Sequence, residues 1–163
     1  MSNKKPGIVL DCMVYLQAAV NAEGPAAKVV RAVEDDHLLL FVSDAILAEV
    51  RDVLNRPVLR QKFPSLTEER AETLVQFLQV KGNRIINVPE TFRYERDPKD
   101  EKYVNLALVT DASFLVSHDS DLLDLMDERR QAGKAFRTRF PLLRILDPVA
   151  MLDILFPRSE NEE

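Results

Sequence analysis

RDPKDEKYVNLALVTDASFLVSHDSDLLDL, residues Arg96 to Leu125, is the stretch whose reading decides the fold. It carries two acidic clusters, Asp97-x-x-Asp100 and Asp119-x-Asp121, with a helical and an extended segment between them. Pro98 suits a first helical turn, because its fixed φ fits there and its missing N–H has no partner to lose. Tyr103, Val104, Ala107 and Leu108 then fall at helical spacing. Ser113 to Ser117 (SFLVS) reads as a short buried parallel strand. Asp119 follows it directly, and Leu122-Leu123 opens another helix. Asp100 is thus expected at a helix N-terminus and Asp119 just beyond the carboxyl end of a strand. In open parallel α/β sheets, ligands bind outside those carboxyl ends.

Outward from this stretch the same alternation recurs. Gly7 to Leu10 (GIVL) predicts a central strand that ends at Asp11, with a helix over Val14 to Val20. Asn21 to Pro25 reads as a turn, Ala26 to Glu34 as a helix, and His37 to Val42 as a second strand. Ser43 is placed to cap a helix through Leu54, since its side-chain oxygen can accept an N–H of the first turn. Glu49 flanks the apolar stripe of that helix. Val58 to Phe63 and Glu68 to Val80 predict two more helices, Arg84 to Val88 a strand, and Pro89 to Glu95 a loop. Glu128 to Arg139 reads as a basic loop, Pro141 to Leu146 as the last strand, and Asp147-Pro148 as the start of a final helix to Phe156. The pattern implies an α/β class protein: a three-layer α/β/α sandwich around a central parallel sheet. Residues 1–156 are expected to form one domain and 157–163 an acidic, frayed tail.

Composition narrows the functional classes. The 163 residues include one cysteine, Cys12, which excludes an internal disulfide and a multi-cysteine zinc site. No run approaches a membrane span, and the N-terminus has no secretory apolar core, so a cytoplasmic protein without membrane attachment is expected. A net charge of −5 argues against gripping nucleic acid through the overall field. Basic groups are nevertheless concentrated, with Arg51, Arg56, Arg60 and Lys62 in one region. Arg129, Arg130, Lys134, Arg137 and Arg139 form another. Such groups are first of all solvated surface; some could border an acidic cleft and hold RNA phosphates. Tyr15, Phe92 and Tyr94 could stack bases or fill the core.

Asp11, Asp100 and Asp119 share one structural address, the carboxyl edge of the sheet, and Glu49 can join them if its helix leans across that edge. Right-handed crossovers make such convergence natural. Two carboxylates about 4 Å apart repel by about 1 to 4 kcal/mol, depending on the effective dielectric. A cation, a basic partner or a proton must offset that. An all-oxygen set suits a hard ion, Mg²⁺ or Mn²⁺. Such an ion activates water and neutralises charge on a phosphodiester. Each acid also has a purely structural reading: Asp11, Asp97 and Asp119 as caps, Asp100 as a helix N-terminal charge, Glu49 as a solvated helix residue. Asp97, ahead of Pro98, is given the capping role.

Four motifs in order resemble the PIN domain family, and more closely its toxin (VapC-like) branch. They are IVLD ending at Asp11, VSDAILAEVRDVLNRPVL with Ser43, Glu49 and Arg56-Pro57, RDPKDEKYVNLAL with Asp100, and FLVSHDSDLL with Ser117, Asp119 and Asp121. The closing RILDPVAMLDIL is similar as well. The resemblance implies a Mg²⁺- or Mn²⁺-dependent endoribonuclease with Asp11, Glu49, Asp100 and Asp119 as catalytic metal holders and Asp121 nearby. It further implies an RNA substrate, a cognate antitoxin protein, and a homodimer or larger homo-oligomer. One departure follows Asp11, where the family's Thr-Asn is Cys12-Met13, and a thioether cannot replace an amide's hydrogen bonds. The alternative is therefore a PIN-fold interaction module impaired in catalysis. A phospho-accepting receiver domain fits less well, because no lysine follows PLLRIL.

Overall fold

The computed structural model describes residues 4–158; the last part of the expected acidic tail, 159–163, lies outside them. Five parallel strands form one sheet in the order β3-β2-β1-β4-β5. They are β1 Gly7–Leu10, β2 Leu39–Ser43, β3 Asn83–Ile85, β4 Phe114–Val116 and β5 Arg144–Leu146. Ile8 stands opposite Leu40 on one side and Phe114 on the other. The two central strands are covered on both faces, as continuous apolar runs require: Ile8, Val9, Leu10, Leu115 and Val116 have no solvent exposure.

Between β1 and β2 the chain forms α1 (Cys12–Val20) and α2 (Pro25–Glu34). Between β2 and β3 it forms α3 (Asp44–Leu54), α4 (Pro57–Lys62) and α5 (Glu68–Lys81). It then returns through a 3₁₀ turn, Pro98–Asp100, and α6 (Glu101–Val109) to lay β4 beside β1. Short α7 (Ser120–Leu123), α8 (Gln131–Arg139), β5 and α9 (Pro148–Leu155) complete the described residues. Strand order therefore reverses between β1 and β4, and that reversal opens a crevice at their carboxyl ends. Asp11 leaves β1 there, and Ser117 to Asp119 leave β4 there.

Sequence signals for helix starts hold up in detail. Ser43 Oγ accepts from Ile46 N at 3.3 Å, and Thr67 and Asp147 cap α5 and α9 in the same way. Several boundaries differ from expectation: α1 begins at Cys12 rather than Val14, because Asp11 caps it, and β5 begins at Arg144 rather than Pro141. β2 begins at Leu39 because Asp36, at φ 62°, turns the chain before His37. β3 stops at Ile85, and Asn87, at φ 59°, turns what looked like strand to Val88. The expected basic loop is instead helix α8 over most of its length. Its buried face is only Gly133 and Phe136, with Phe140 just beyond, so charge hides the period. Gly133 is required there: a Cβ would lie 2.0 Å from the Asp127 carbonyl oxygen.

Candidate active site

Asp11 caps α1. Its Oδ1 accepts from Met13 N at 3.0 Å and Val14 N at 3.1 Å, and its Oδ2 accepts from the Ser117 hydroxyl. Ser117 is fully buried, and its oxygen in turn accepts the Asp119 N–H at 2.9 Å. One hydroxyl thus ties the end of β1 to the end of β4. Burial raises the Asp11 pKa, with the Asp119 charge adding to it, against the lowering pull of these hydrogen bonds.

Asp119 Oδ1 caps α7 through Asp121 N at 2.8 Å, and Asp97 Oδ1 caps the 3₁₀ turn through Lys99 N at 3.2 Å. The cap readings of both residues are therefore real. They do not exhaust the carboxyls. Asp97, Asp100, Asp119 and Asp121 each offer one oxygen, and these four oxygens lie within 4.8 Å of one another. Asp100 is the buried member, and its Oδ2 has no hydrogen-bond partner. Burial, then the charges of Asp119, Asp97 and Asp11, push its pKa up to about 8.

The structure thus brings Asp100, Asp119 and Asp121 together, sets Asp11 beside them through Ser117, and keeps Glu49 apart. Glu49 Oε2 pairs with Lys102 Nζ at 2.6 Å, and its Oε1 accepts from the Tyr103 hydroxyl. That hydroxyl also accepts from Cys12 N at 3.1 Å. Burial works to raise the Glu49 pKa, but hydrogen bonds from Cys12, Lys102 and Tyr103 outweigh it and lower the value. Burial and the neighbouring Glu49 push the Cys12 thiol up to about 12, which keeps it from acting as a thiolate. Asp97 is the residue sequence reasoning assigned to structure alone; its spacing of three from Asp100 across one helical turn was the available signal.

Two cations paired with the motif acids also escaped the sequence reading, which looked to the basic groups at Arg51 to Lys62 and Arg129 to Arg139. Lys102 is one. Arg96 is the other: its Nε lies 2.5 Å from Asp121 Oδ1 and its Nη2 2.9 Å from Asp124 Oδ2. The named arginines are mostly spent elsewhere, Arg56 on Asp52, Arg129 on Asp127, and Arg130 on Asp124 and Asp127. Tyr15 is fully buried, and Phe92 packs edge-on against Phe136 at 5.2 Å, so both fill the core. His118 is an exposed loop residue.

The four oxygens fit a hard divalent cation. Oxygen ligands on opposite sides of such an ion are roughly 4 to 5 Å apart, given metal–oxygen distances of about 2.0–2.6 Å. No protein donor satisfies Asp100 Oδ2, and like charges crowd it.

The PIN domain family profile matches residues 7–121, which include Asp11, Glu49, Asp97, Asp100, Asp119 and Asp121. The chain belongs to the PIN domain family. PIN domains are nuclease folds that generally work with a divalent metal and act on RNA, and the five-stranded parallel sheet is the one the family implies. An uncharacterized protein of Methanocaldococcus jannaschii is 28% identical over 130 residues, covering 80% of this chain and 81% of its own. No helix among the described residues of this PIN protein is long and apolar enough to cross a membrane.

Proposed function

We propose that this PIN protein is a Mg²⁺- or Mn²⁺-dependent endoribonuclease, the toxin component of a toxin–antitoxin pair. The observation that carries the reading is the buried, unpartnered Asp100 Oδ2 within a group of four carboxylates. Asp97, Asp100, Asp119 and Asp121 would hold the ion, with Asp11 braced beside them by Ser117. Glu49 would join only by leaving Lys102. A bound divalent ion would neutralise charge on the phosphodiester and lower the pKa of a water. The protein's own part is positional. Backbone amides and Ser117 fix Asp11, helix caps fix Asp97 and Asp119, and burial holds a proton on Asp100 until a cation replaces it. Titrating Mn²⁺ should raise the melting temperature of the wild-type chain, and Asp119→Asn should remove both that rise and Mn²⁺-dependent RNA cleavage. A chain whose melting point ignores Mn²⁺ and that leaves RNA intact would end the proposal.

The toxin assignment, the cytoplasmic location, a protein antitoxin and self-association rest on the motif resemblance. Growth arrest on expression, relieved by Asp119→Asn, supports the toxin role. A second reading, an interaction module without turnover, is favoured by one observation. Met13, where the family carries Asn, is 45% exposed two residues after Asp11, and its thioether offers none of an amide's hydrogen bonds. Cleavage gained only after Cys12→Thr with Met13→Asn would select that reading.

A further inference from the structure

The acids of the site divide into two groups by what already holds their oxygens. Asp97, Asp100, Asp119 and Asp121 each offer one oxygen to a group within 4.8 Å, and Asp100 Oδ2 has no partner there. That group suffices for one ion. Asp11 and Glu49 differ, because each of their oxygens is taken by a donor. Asp11 Oδ1 accepts from the N–H groups of Met13 and Val14, and its Oδ2 from the Ser117 hydroxyl. Glu49 Oε1 accepts from the Tyr103 hydroxyl, and its Oε2 lies 2.6 Å from Lys102 Nζ. Two metal ions that act together on a phosphodiester stand about 3.5–4 Å apart. With one ion among the four aspartates, a second would have to draw on Asp11 and Glu49, the two acids already engaged.

The ammonium on Glu49 is fixed in place. Lys102 Nζ also donates to the Lys99 carbonyl at 2.7 Å and sits 4.9 Å from the centre of the Tyr103 ring. Lys99 belongs to the turn that ends at Asp100. The Tyr103 hydroxyl that serves Glu49 also accepts the N–H of Cys12, the residue after Asp11, at 3.1 Å. The Lys102–Glu49 pair is therefore tied to the Asp100 turn on one side and to the end of β1 on the other. Its side chains are only 24% and 25% exposed, so water and salt screen it less than the surface pairs.

We propose that the Lys102 ammonium stands where a second divalent ion would bind: it supplies the positive charge at Glu49, and the site takes one metal ion per chain. The inference rests on the nuclease reading and deepens it. A divalent ion cannot join this pair, since it would lie against a like charge; it must displace the ammonium. A purely structural tie between α3 and α6 would use the same contacts and would set no limit on the number of ions.

The test counts bound ions, apart from cleavage. The metal-free full chain is titrated with Mn²⁺, and the electron paramagnetic resonance signal of free aqueous Mn²⁺ reports how much is bound. Wild type should bind one ion per chain. Lys102→Met, which removes the charge and keeps an unbranched stem, should bind a second, close enough to the first for their spins to couple. Lys102→Arg, which keeps the charge, should bind one. Lys102→Met combined with Glu49→Gln should return to one. The wild-type count decides even where a variant fails to fold, which its melting curve reports. A wild-type chain that binds two coupled ions, or a folded Lys102→Met chain that still binds one, overturns the inference, and RNA cleavage by wild type then leaves the nuclease reading standing. A chain that binds no Mn²⁺ and leaves RNA intact overturns both.

Discussion

Asp100 and Glu49 are acids of the same crevice, and their surroundings drive them in opposite directions. Asp100 is buried among Asp119, Asp97 and Asp11, has a lone oxygen, and holds its proton to about pH 8. Glu49 is equally placed near the edge of the sheet, but Lys102, Tyr103 and Cys12 stabilise its charge, and its pKa falls. One carboxyl awaits a cation and the other already has one. Sequence motifs give the two the same role; their neighbours separate them.

The sharpest break of this contrast is metal affinity. Asp119→Asn or Asp100→Asn should weaken Mn²⁺ binding by at least about a hundredfold in calorimetry. Glu49→Gln should cost less than about tenfold, the lower bound typical of an outer partner that only orients the ligands. Equal losses at Glu49 and Asp119 would show that Lys102 releases Glu49 to the ion and would erase the distinction.

Acidity gives the second test. The unfolded Asp100 carboxyl ionises near pH 4, whereas the folded one keeps its proton to about pH 8. Between those values the folded state binds the extra proton, so its contribution to stability is complete below pH 4 and is lost as pH rises through 8. Metal-free protein should therefore melt several degrees lower at pH 8 than at pH 5, and Asp100→Asn should flatten that slope. Mn²⁺ should reverse the trend, because at higher pH it has less proton to displace. A metal-free melting profile that is level or rises across this window would remove the crowded-carboxylate account.

Much of this was legible beforehand because it follows from periodicity and capping. IVLD and FLVS are continuous apolar runs that only a central parallel strand buries, and Asp11 and Asp119 are bound to sit where those strands end. The order of elements and right-handed crossovers put the strand ends on one side of the sheet; the reversal of strand order between β1 and β4, which makes that edge a crevice, is seen only in the structure. Side-chain partners are another matter. Nothing local to Glu49 says that Lys102, on a helix 53 positions later, will reach it first. RDPKD gives Asp97 its cap and its spacing from Asp100, but does not say that a carboxyl oxygen of Asp97 also meets those of Asp119 and Asp121. The charged surface of α8 concealed a helix whose packing stripe is a glycine and two phenylalanines. Charge runs were misleading in the same way: Arg56, Arg129, Arg130 and Arg137 found acids outside the motif set, while single cations inside the motifs paired with motif acids, Arg96 with Asp121 and Lys102 with Glu49.

A third variant examines the joint between the two central strands. Ser117→Ala leaves Asp11 Oδ2 without its buried donor and frees the Asp119 N–H. An unsatisfied buried polar group costs about 1–3 kcal/mol. Chemical denaturation should show that loss at an unchanged m-value, and Mn²⁺ should recover part of it by fixing Asp119 from the other side. Cysteine at the same position can accept less well from the amide and should fall between Ser117 and alanine.

The smallest effect concerns Arg96, the cation nearest the four carboxylates. Its guanidinium engages Asp121 and Asp124 from a side chain that is 43% exposed, so water and salt screen most of its attraction. Two consequences oppose each other. The guanidinium holds Asp121 in place for an incoming ion, yet its positive charge repels that ion and occupies one carboxylate oxygen. Orientation of Asp121 has other support, because its carbonyl accepts from the Tyr94 hydroxyl at 2.8 Å and its N–H donates to Asp119. Repulsion therefore dominates, and Arg96→Gln should bind Mn²⁺ more tightly, by less than about fivefold, the range of an exposed ion pair. The gain should shrink as salt is raised from 50 to about 500 mM, which shortens the screening length. Weaker Mn²⁺ binding in Arg96→Gln would mean that Arg96 builds the Asp121 ligand rather than competing for it, and would place Arg96 with Ser117 among the residues that hold the centre together.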